Sequence, residues 1–103
     1  MKGVFSRRAR RELDVLFDEL LTRVTPPTAL RLIDRIEARC ASLDQFPERG
    51  VAYSHADLRH LRRLVEAPYV IVYEIDGTVV RIVRVLHGSR RIETALLDRD
   101  HES

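Results

Sequence analysis

The sequence predicts an α+β fold: an N-terminal strand, then an antiparallel helical hairpin packed on a three- to four-stranded antiparallel sheet. Three observations predict it. Apolar residues recur at helical spacing through two segments separated by Thr25-Pro26-Pro27. From Leu58 the apolar period becomes two. Asp76-Gly77 then separates two such runs in the manner of a tight hairpin turn. With 103 residues, the chain has room for a single domain, residues 1–103. At 45% apolar and 33% charged it departs from the composition of disordered chains.

Each element follows in order. Val4, Phe5 and Ser6 form a short first strand, and Ser6 caps the helix after it. Ala9, Leu13, Leu16, Phe17, Leu20, Leu21 and Val24 make that helix's apolar stripe. Thr25 is the N-cap of the second helix, with Pro26 at its first position. This helix runs to about Asp44 and buries Ala29, Ile33, Ile36, Cys40 and Leu43. Cys40 reads as a small packing residue. Phe46-Pro47-Glu48-Arg49-Gly50 ends helical structure. Leu58 to Val65, Tyr69 to Ile75 and Thr78 to Leu86 are the three strands.

A type I′ turn at Asp76-Gly77 sets Ile75 opposite Thr78, Tyr73 opposite Val80, Ile71 opposite Ile82 and Tyr69 opposite Arg84. One face then carries Ile71, Tyr73, Ile75, Val80 and Ile82 and meets the helices. The other carries Val70, Val72, Val79, Arg81, Val83 and Val85, with Glu74 and His87. Two helices cover one face only, so these valines form an apolar patch for a partner segment. The alternative is that the loop from Val51 to Asp57, or the tail from Ile92, folds over them. A three-residue loop before Tyr69 directs Arg62 toward Arg81 and Arg63 toward the core; a four-residue loop swaps them.

Charge narrows the function classes less than it first suggests. Eighteen basic residues face sixteen acidic ones, for a net charge of +2, and Lys2 is the only lysine. The arginines cluster at Arg7 to Arg11, Arg59 to Arg63, and Arg90 with Arg91. An arginine from the first strand, Arg81 and His87 are a reasonable set for holding a phosphate, against the plainer reading of solvated strand arginines. Arg7, Arg8, Arg10 and Arg11 open a helix at the end its dipole disfavours, which makes them candidate contacts for nucleic acid or an acidic partner. His55-x-Asp57-x-x-His60 matches no standard zinc spacing, and His60 is placed to pair with Glu74 across strands. One cysteine excludes a disulfide framework and any multi-cysteine zinc site. No metal or cofactor is expected. No apolar run approaches the roughly 20 residues of a membrane helix. The charged start, MKGVFSRRARREL, does not resemble a secretory signal. The expectation is a cytoplasmic protein without a membrane partner. The mixed-charge tail Asp98-Arg99-Asp100-His101-Glu102 is expected to fray.

Taken together, Arg62-Arg63, Tyr69-Val-Ile-Val-Tyr73-Glu, the hairpin and Arg84-Val-Leu-His87-Gly-Ser-Arg90-Arg91 resemble the RelE/ParE superfamily of toxins from type II toxin–antitoxin systems. The Phe46-Pro47-x-x-Gly50 turn is similar to that superfamily's Pro-and-Gly turn. Arg-Val-Leu-His followed by an arginine most resembles the ParE branch. The resemblance implies a RelE/ParE-like fold and a growth-inhibiting toxin neutralised by a cognate ParD-like antitoxin, whose C-terminal segment wraps it. Plasmid stabilisation is a role of that kind. On the ParE branch it implies DNA gyrase as the target, trapped with cleaved DNA, and no catalytic residue. It implies contact with operator DNA only through the antitoxin.

On the RelE branch the resemblance implies metal-independent mRNA cleavage in the ribosomal A site. That reaction needs a base, an acid and cations on the phosphate. Glu48, Arg62 or Arg63, and His87 resemble the Glu/Arg/His set of YoeB-like members, with Arg81 and Arg90 as further cations. The lysines and the C-terminal tyrosine of other members have no counterpart, since Lys2 is remote and no tyrosine follows Tyr73. A third class is a member that binds its antitoxin without retaining toxicity.

Overall fold

Ser6 joins three elements. The computed structural model describes residues 2–98, and in it the strand β1 (Lys2–Phe5) runs into helix α1 (Arg7–Leu20). Ser6 is extended, and its Oγ accepts the Ala9 N–H at 3.0 Å, capping α1. Its own N–H donates to the Ile82 carbonyl at 2.8 Å, and its hydroxyl donates to the Val83 carbonyl at 2.9 Å. The start of α1 is thereby fastened to the last strand of the sheet.

Along α1, Ala9 and Leu13 are buried, and Leu16, Phe17 and Leu20 are half-buried. Leu21 and Val24, expected to extend the stripe, are exposed. Helix α2 (Pro26–Ser42) begins after an extended Thr25, whose hydroxyl donates to Thr28 Oγ1 rather than capping the backbone. Pro26 costs nothing there, because the first helical N–H has no partner within the helix. The helix stops at Ser42, two residues before the expected Asp44. Cys40 lies in the buried stripe, and burial pushes its thiol up to about 12. That suits packing and not reactivity.

Among the described residues, five strands form one sheet in the order β1-β5-β4-β3-β2. They are β1, β2 (Val51–Ala52), β3 (Leu61–Glu66), β4 (Tyr69–Asp76) and β5 (Val79–His87). β1 runs parallel to β5; the other neighbours are antiparallel. The sheet exceeds the expected three to four strands because the two-residue β2 adds an edge. β3 starts three residues later than expected. Ala56–Leu58 form a 3-10 turn instead, capped by His55 Nδ1 accepting the Asp57 N–H at 3.1 Å.

The hairpin turn lies one residue later than the sequence predicts, which moves each cross-strand partner by two. Asp76 pairs with Val79, so the two-residue turn is Gly77-Thr78 and not Asp76-Gly77. Gly77 alone has a positive φ, +62°, which is the signature of a type II′ turn with glycine first and not of type I′. Ile75 therefore faces Val80, and Tyr73 faces Ile82. A register shift between Val72 and Tyr73 then leaves Val83 as an extra residue on β5, and beyond it Ile71 faces Val85. An inserted residue reverses which side the following side chains take. Val85, expected on the reverse face, accordingly joins the helix-side core with Ile71, Tyr73 and Ile82.

The reverse face is not an open patch. Val70 and Val72 are buried in a second core beneath Tyr53, Leu58 and Leu61. Ile92, Leu96 and Leu97, from a short helix α3 (Ile92–Leu97), pack on the same cluster. Both covering segments considered from the sequence are in place: the loop after Val51 and the tail from Ile92. Val79 and Val83 are half-buried. Arg81 is held by Glu74 at 3.3 Å and Asp76 at 3.1 Å. Glu74 stands opposite Leu61, so the expected pairing with His60 is replaced by Arg81. β3 and β4 are joined through Ala67-Pro68, with Glu66 opposite Tyr69. Arg62 then falls on the helix-side face opposite Tyr73, and Arg63 on the reverse face opposite Val72. The expectation for the tail from Arg99 onward lies outside the described residues.

Tyr73 anchors the loop before the sheet. Its hydroxyl donates to the Pro47 carbonyl at 2.7 Å and accepts the Gly50 N–H at 2.8 Å. Burial raises its pKa, against the lowering effect of the Gly50 hydrogen bond. Gly50 must come this close: a Cβ there would stand 2.6 Å from Tyr73 Oη and 2.7 Å from the Arg63 carbonyl oxygen.

Gly50→Ala is expected to destabilise the fold by about 1–3 kcal/mol, the usual range for overpacking, measured as a lowered urea midpoint. Alkaline pH supplies another check. Cys40 has an ordinary value of 9.0, and Tyr53, Tyr69 and Tyr73 are raised, chiefly by burial, from 10.0. The unfolded chain therefore releases these protons first. The stability they carry is complete below about pH 9 and lost as pH climbs through the folded-state values. Urea midpoints are expected to fall from about pH 9 upward, toward the folded-state Cys40 value of about 12, and Cys40→Ala to make that fall shallower.

Candidate functional site

β1 pairs with β5 only across Val79 to Ile82. Beyond Ile82 the outer edge of β5 has no neighbouring strand among the described residues, and α1 lies along it. An unpaired N–H at such an edge needs a partner. Glu12 supplies it: one carboxylate oxygen accepts the Val85 N–H at 2.9 Å. Its other oxygen receives Arg84 Nε at 2.8 Å and Nη2 at 2.7 Å. Arg84 is only 2% exposed, and no other charged residue is buried among the described residues. Its Nη1 is buried and makes no hydrogen bond.

Around this pair runs a groove of about 740 Å³ between α1 and the ends of β4 and β5. One face of α1 lines it, with Arg8, Arg11, Glu12, Val15, Leu16, Glu19 and Leu20; Arg23 follows just past the helix end. The sheet contributes Tyr69, Arg84, Val85, Leu86 and His87, and Arg90 closes one end. Five arginines thus face two glutamates, one of which is committed to Arg84. The pKa of Arg8 is lowered first by burial and next by the neighbouring Arg84 cation, with Glu12 opposing. Arg10, on another face of α1, lies over the Phe5 ring at 4.4 Å and reaches Glu37 at 3.6 Å. The basic start of α1 is therefore divided, with Arg8 and Arg11 entering the groove.

His87 is exposed at the end of β5. Its ring meets Tyr69 edge-on, with centroids 5.4 Å apart, and its Nδ1 accepts the Ser89 N–H at 3.1 Å. Of the residues considered for RNA cleavage, His87 and Arg90 share the groove. The rest stand elsewhere. Arg62 donates to the Glu48 carbonyl at 3.3 Å and the Gly50 carbonyl at 2.8 Å. Arg63 lies over the Tyr53 ring at 5.1 Å on the opposite face. Four residues of β4 and two strand spacings separate the Arg62 position from His87, or about 16 Å. Arg81 is six residues from His87 along β5, about 20 Å. The backbone positions of Arg62 and His87 thus lie well apart on the sheet.

The site hinges on Glu12 and Arg84, to which the sequence reading gave no role. A signal was present. Arg84 is the only charge within Ile82-Val83-Arg84-Val85-Leu86, and Glu12 is the only acid within the first turns of α1. A lone charge inside an apolar strand needs a counter-ion, and Glu12 is the nearest acid on the helix that follows the neighbouring strand.

A family profile described as the ParE toxin of type II toxin-antitoxin systems, parDE, matches residues 4–92. The protein named Toxin RelE2 of Caulobacter vibrioides is 36% identical over 87 residues, covering 84% of this chain and 94% of that protein. Among solved structures, the toxin–antitoxin complex RelBE2 from Mycobacterium tuberculosis contains a chain with 27% identity and a TM-score of 0.64, with 84% of this chain and 95% of that one covered. The chromosomal ParDE system from P. aeruginosa matches with a TM-score of 0.73 at 22% identity, over 84% of this chain and 95% of that one, and shares the fold.

Proposed function

This chain belongs to the ParE toxin family of type II toxin–antitoxin systems, and from that premise we propose that it arrests growth by binding DNA gyrase as a non-catalytic inhibitor, held in check by a ParD-like antitoxin. One observation carries the choice of target. The residues considered for RNA cleavage have other partners or positions: Arg62 donates to the Glu48 and Gly50 carbonyls. Arg63 stacks on Tyr53 on the other face, and the backbone positions of His87 and Arg62 are about 16 Å apart. A concerted proton transfer needs base, acid and phosphate clamp within hydrogen-bond reach of one phosphodiester. Binding a large protein target makes no such demand.

The antitoxin reading is supported by the toxin–antitoxin systems among the structural relatives. Operator DNA is reached through that antitoxin. Gyrase and ribosomes both place the site of action in the cytoplasm, and no described helix is long and apolar enough to cross a membrane. A second reading, ribosome-dependent mRNA cleavage, is favoured by the presence of His87 and Arg90 on a cationic groove.

Purified chain added to gyrase and relaxed plasmid is expected to block supercoiling and accumulate cleaved DNA. It is expected to leave mRNA intact in a translating extract. Undisturbed supercoiling together with ribosome-dependent mRNA cuts, abolished by His87→Ala, would reverse the assignment.

A further inference from the structure

We infer that the groove between α1 and the end of β5 holds the phosphate backbone of single-stranded DNA, so that this chain touches DNA directly. The choice of DNA over RNA rests on the reading of gyrase, caught with cleaved DNA, as the target. The contact is separate from operator duplex reached through an antitoxin.

The groove gathers arginines that have no counter-ion. Elsewhere Arg10 reaches Glu37, Arg35 and Arg39 share Glu66, and Arg81 reaches Glu74 and Asp76. Arg8, Arg11, Arg23 and Arg90 line the groove, and among the described residues none of them makes an ion pair. Glu12 is committed to Arg84 and to the Val85 N–H. Glu19 is then the one other carboxylate in the lining. The cations also feel one another: after burial, Arg84 lowers the Arg8 pKa most, Glu12 opposes, and Arg11 and Arg90 lower it further. Like charges gathered in a cleft attract a polyanion.

The shape favours a chain of phosphates over one compact anion. Arg8 and Arg11 stand at the start of the α1 wall, Arg23 stands just past its end, and Arg90 closes the groove. From Arg8 to Arg23 the wall extends about 22 Å at about 1.5 Å per residue, which suits a site of about 4 nucleotides, the lower end of the range for single strands. Each guanidinium can grip two phosphate oxygens.

Aromatic rings select an unpaired strand. Tyr69 and His87 both line the groove, and their rings meet edge-on with centroids 5.4 Å apart. His87 is exposed. Bases of a single strand stack on such rings, whereas a duplex keeps its base faces inside its own stack. Val15, Leu16 and Leu20 lie between the arginines of α1 and offer apolar contact to sugars and base faces.

The test uses the purified full chain and a fluorescein-labelled oligodeoxythymidylate of about 20 nucleotides, several site lengths, read by anisotropy. Binding is expected, and its affinity is expected to fall about tenfold to fiftyfold between about 50 and 200 mM salt, as about 3–4 neutralised phosphates require. Arg11→Glu with Arg90→Glu is expected to weaken binding about tenfold or more, and His87→Ala about fivefold, with unchanged circular-dichroism melts. Arg31→Glu with Arg59→Glu changes net charge equally at exposed positions outside the groove and is expected to bind within about twofold of the parent. Equal losses in the two double variants would reduce the effect to overall charge and overturn the inference. So would tighter binding of oligouridylate or of duplex DNA than of the single DNA strand. If the parent blocks gyrase without binding the oligonucleotide, the inference falls and the target reading stands. If the parent binds it through the groove, prefers it to oligouridylate and leaves gyrase active, the target reading falls and the inference stands.

Discussion

The buried ion pair between Glu12 and Arg84 is the constraint on which the working end of the molecule depends. β1 protects the edge of β5 only as far as Ile82. Past that point the strand would leave an unpaired N–H, and Arg84 would stand buried among valines without a counter-charge. Glu12 answers both needs from one helix position, using Ser6 as the hinge that brings α1 back along the strand. Desolvating two charges is costly, and such a pair holds a geometry more surely than it adds net stability. Here the geometry held is the separation of α1 from the end of β5, and that separation is the groove.

A second consequence concerns the sheet's two faces. A chain of this length builds cores on both sides of the sheet: the helical hairpin covers one, and the Tyr53–Leu58 segment with α3 covers the other. Val70 and Val72 belong to the fold. Exposed apolar side chains are scattered, with Val15 on α1, Leu30 on α2, and Phe46, Val51 and Val65 elsewhere.

The layout was legible in the sequence because its signals are local. Helical spacing, the Ser6 cap, Thr25-Pro26 and the change to period two all act within a few residues, and each marks an element that forms. The register was not legible to the same degree. Asp76-Gly77 and Gly77-Thr78 are both admissible turns, and the backbone sign at a single residue decides between them. The extra residue at Val83 has no sequence mark, yet it moves Val85 from one face to the other. The covering of the reverse face was legible only as an alternative, since the loop and α3 carry few apolar residues each and their joint effect is tertiary. The site was half legible. The arginine clusters were visible, while the partnership of Glu12 with Arg84, 72 positions away, needed the fold.

The most direct test of this account is a double-mutant cycle on Glu12 and Arg84, using Glu12→Gln, Arg84→Met and both together, with unfolding free energies from urea titration. A coupling energy of about 2–3 kcal/mol, with the double variant more stable than Glu12→Gln alone, is the result expected of a buried pair that fixes α1 on β5. A coupling below about 0.5 kcal/mol would mean that the two side chains act independently, and the groove would lose its structural basis.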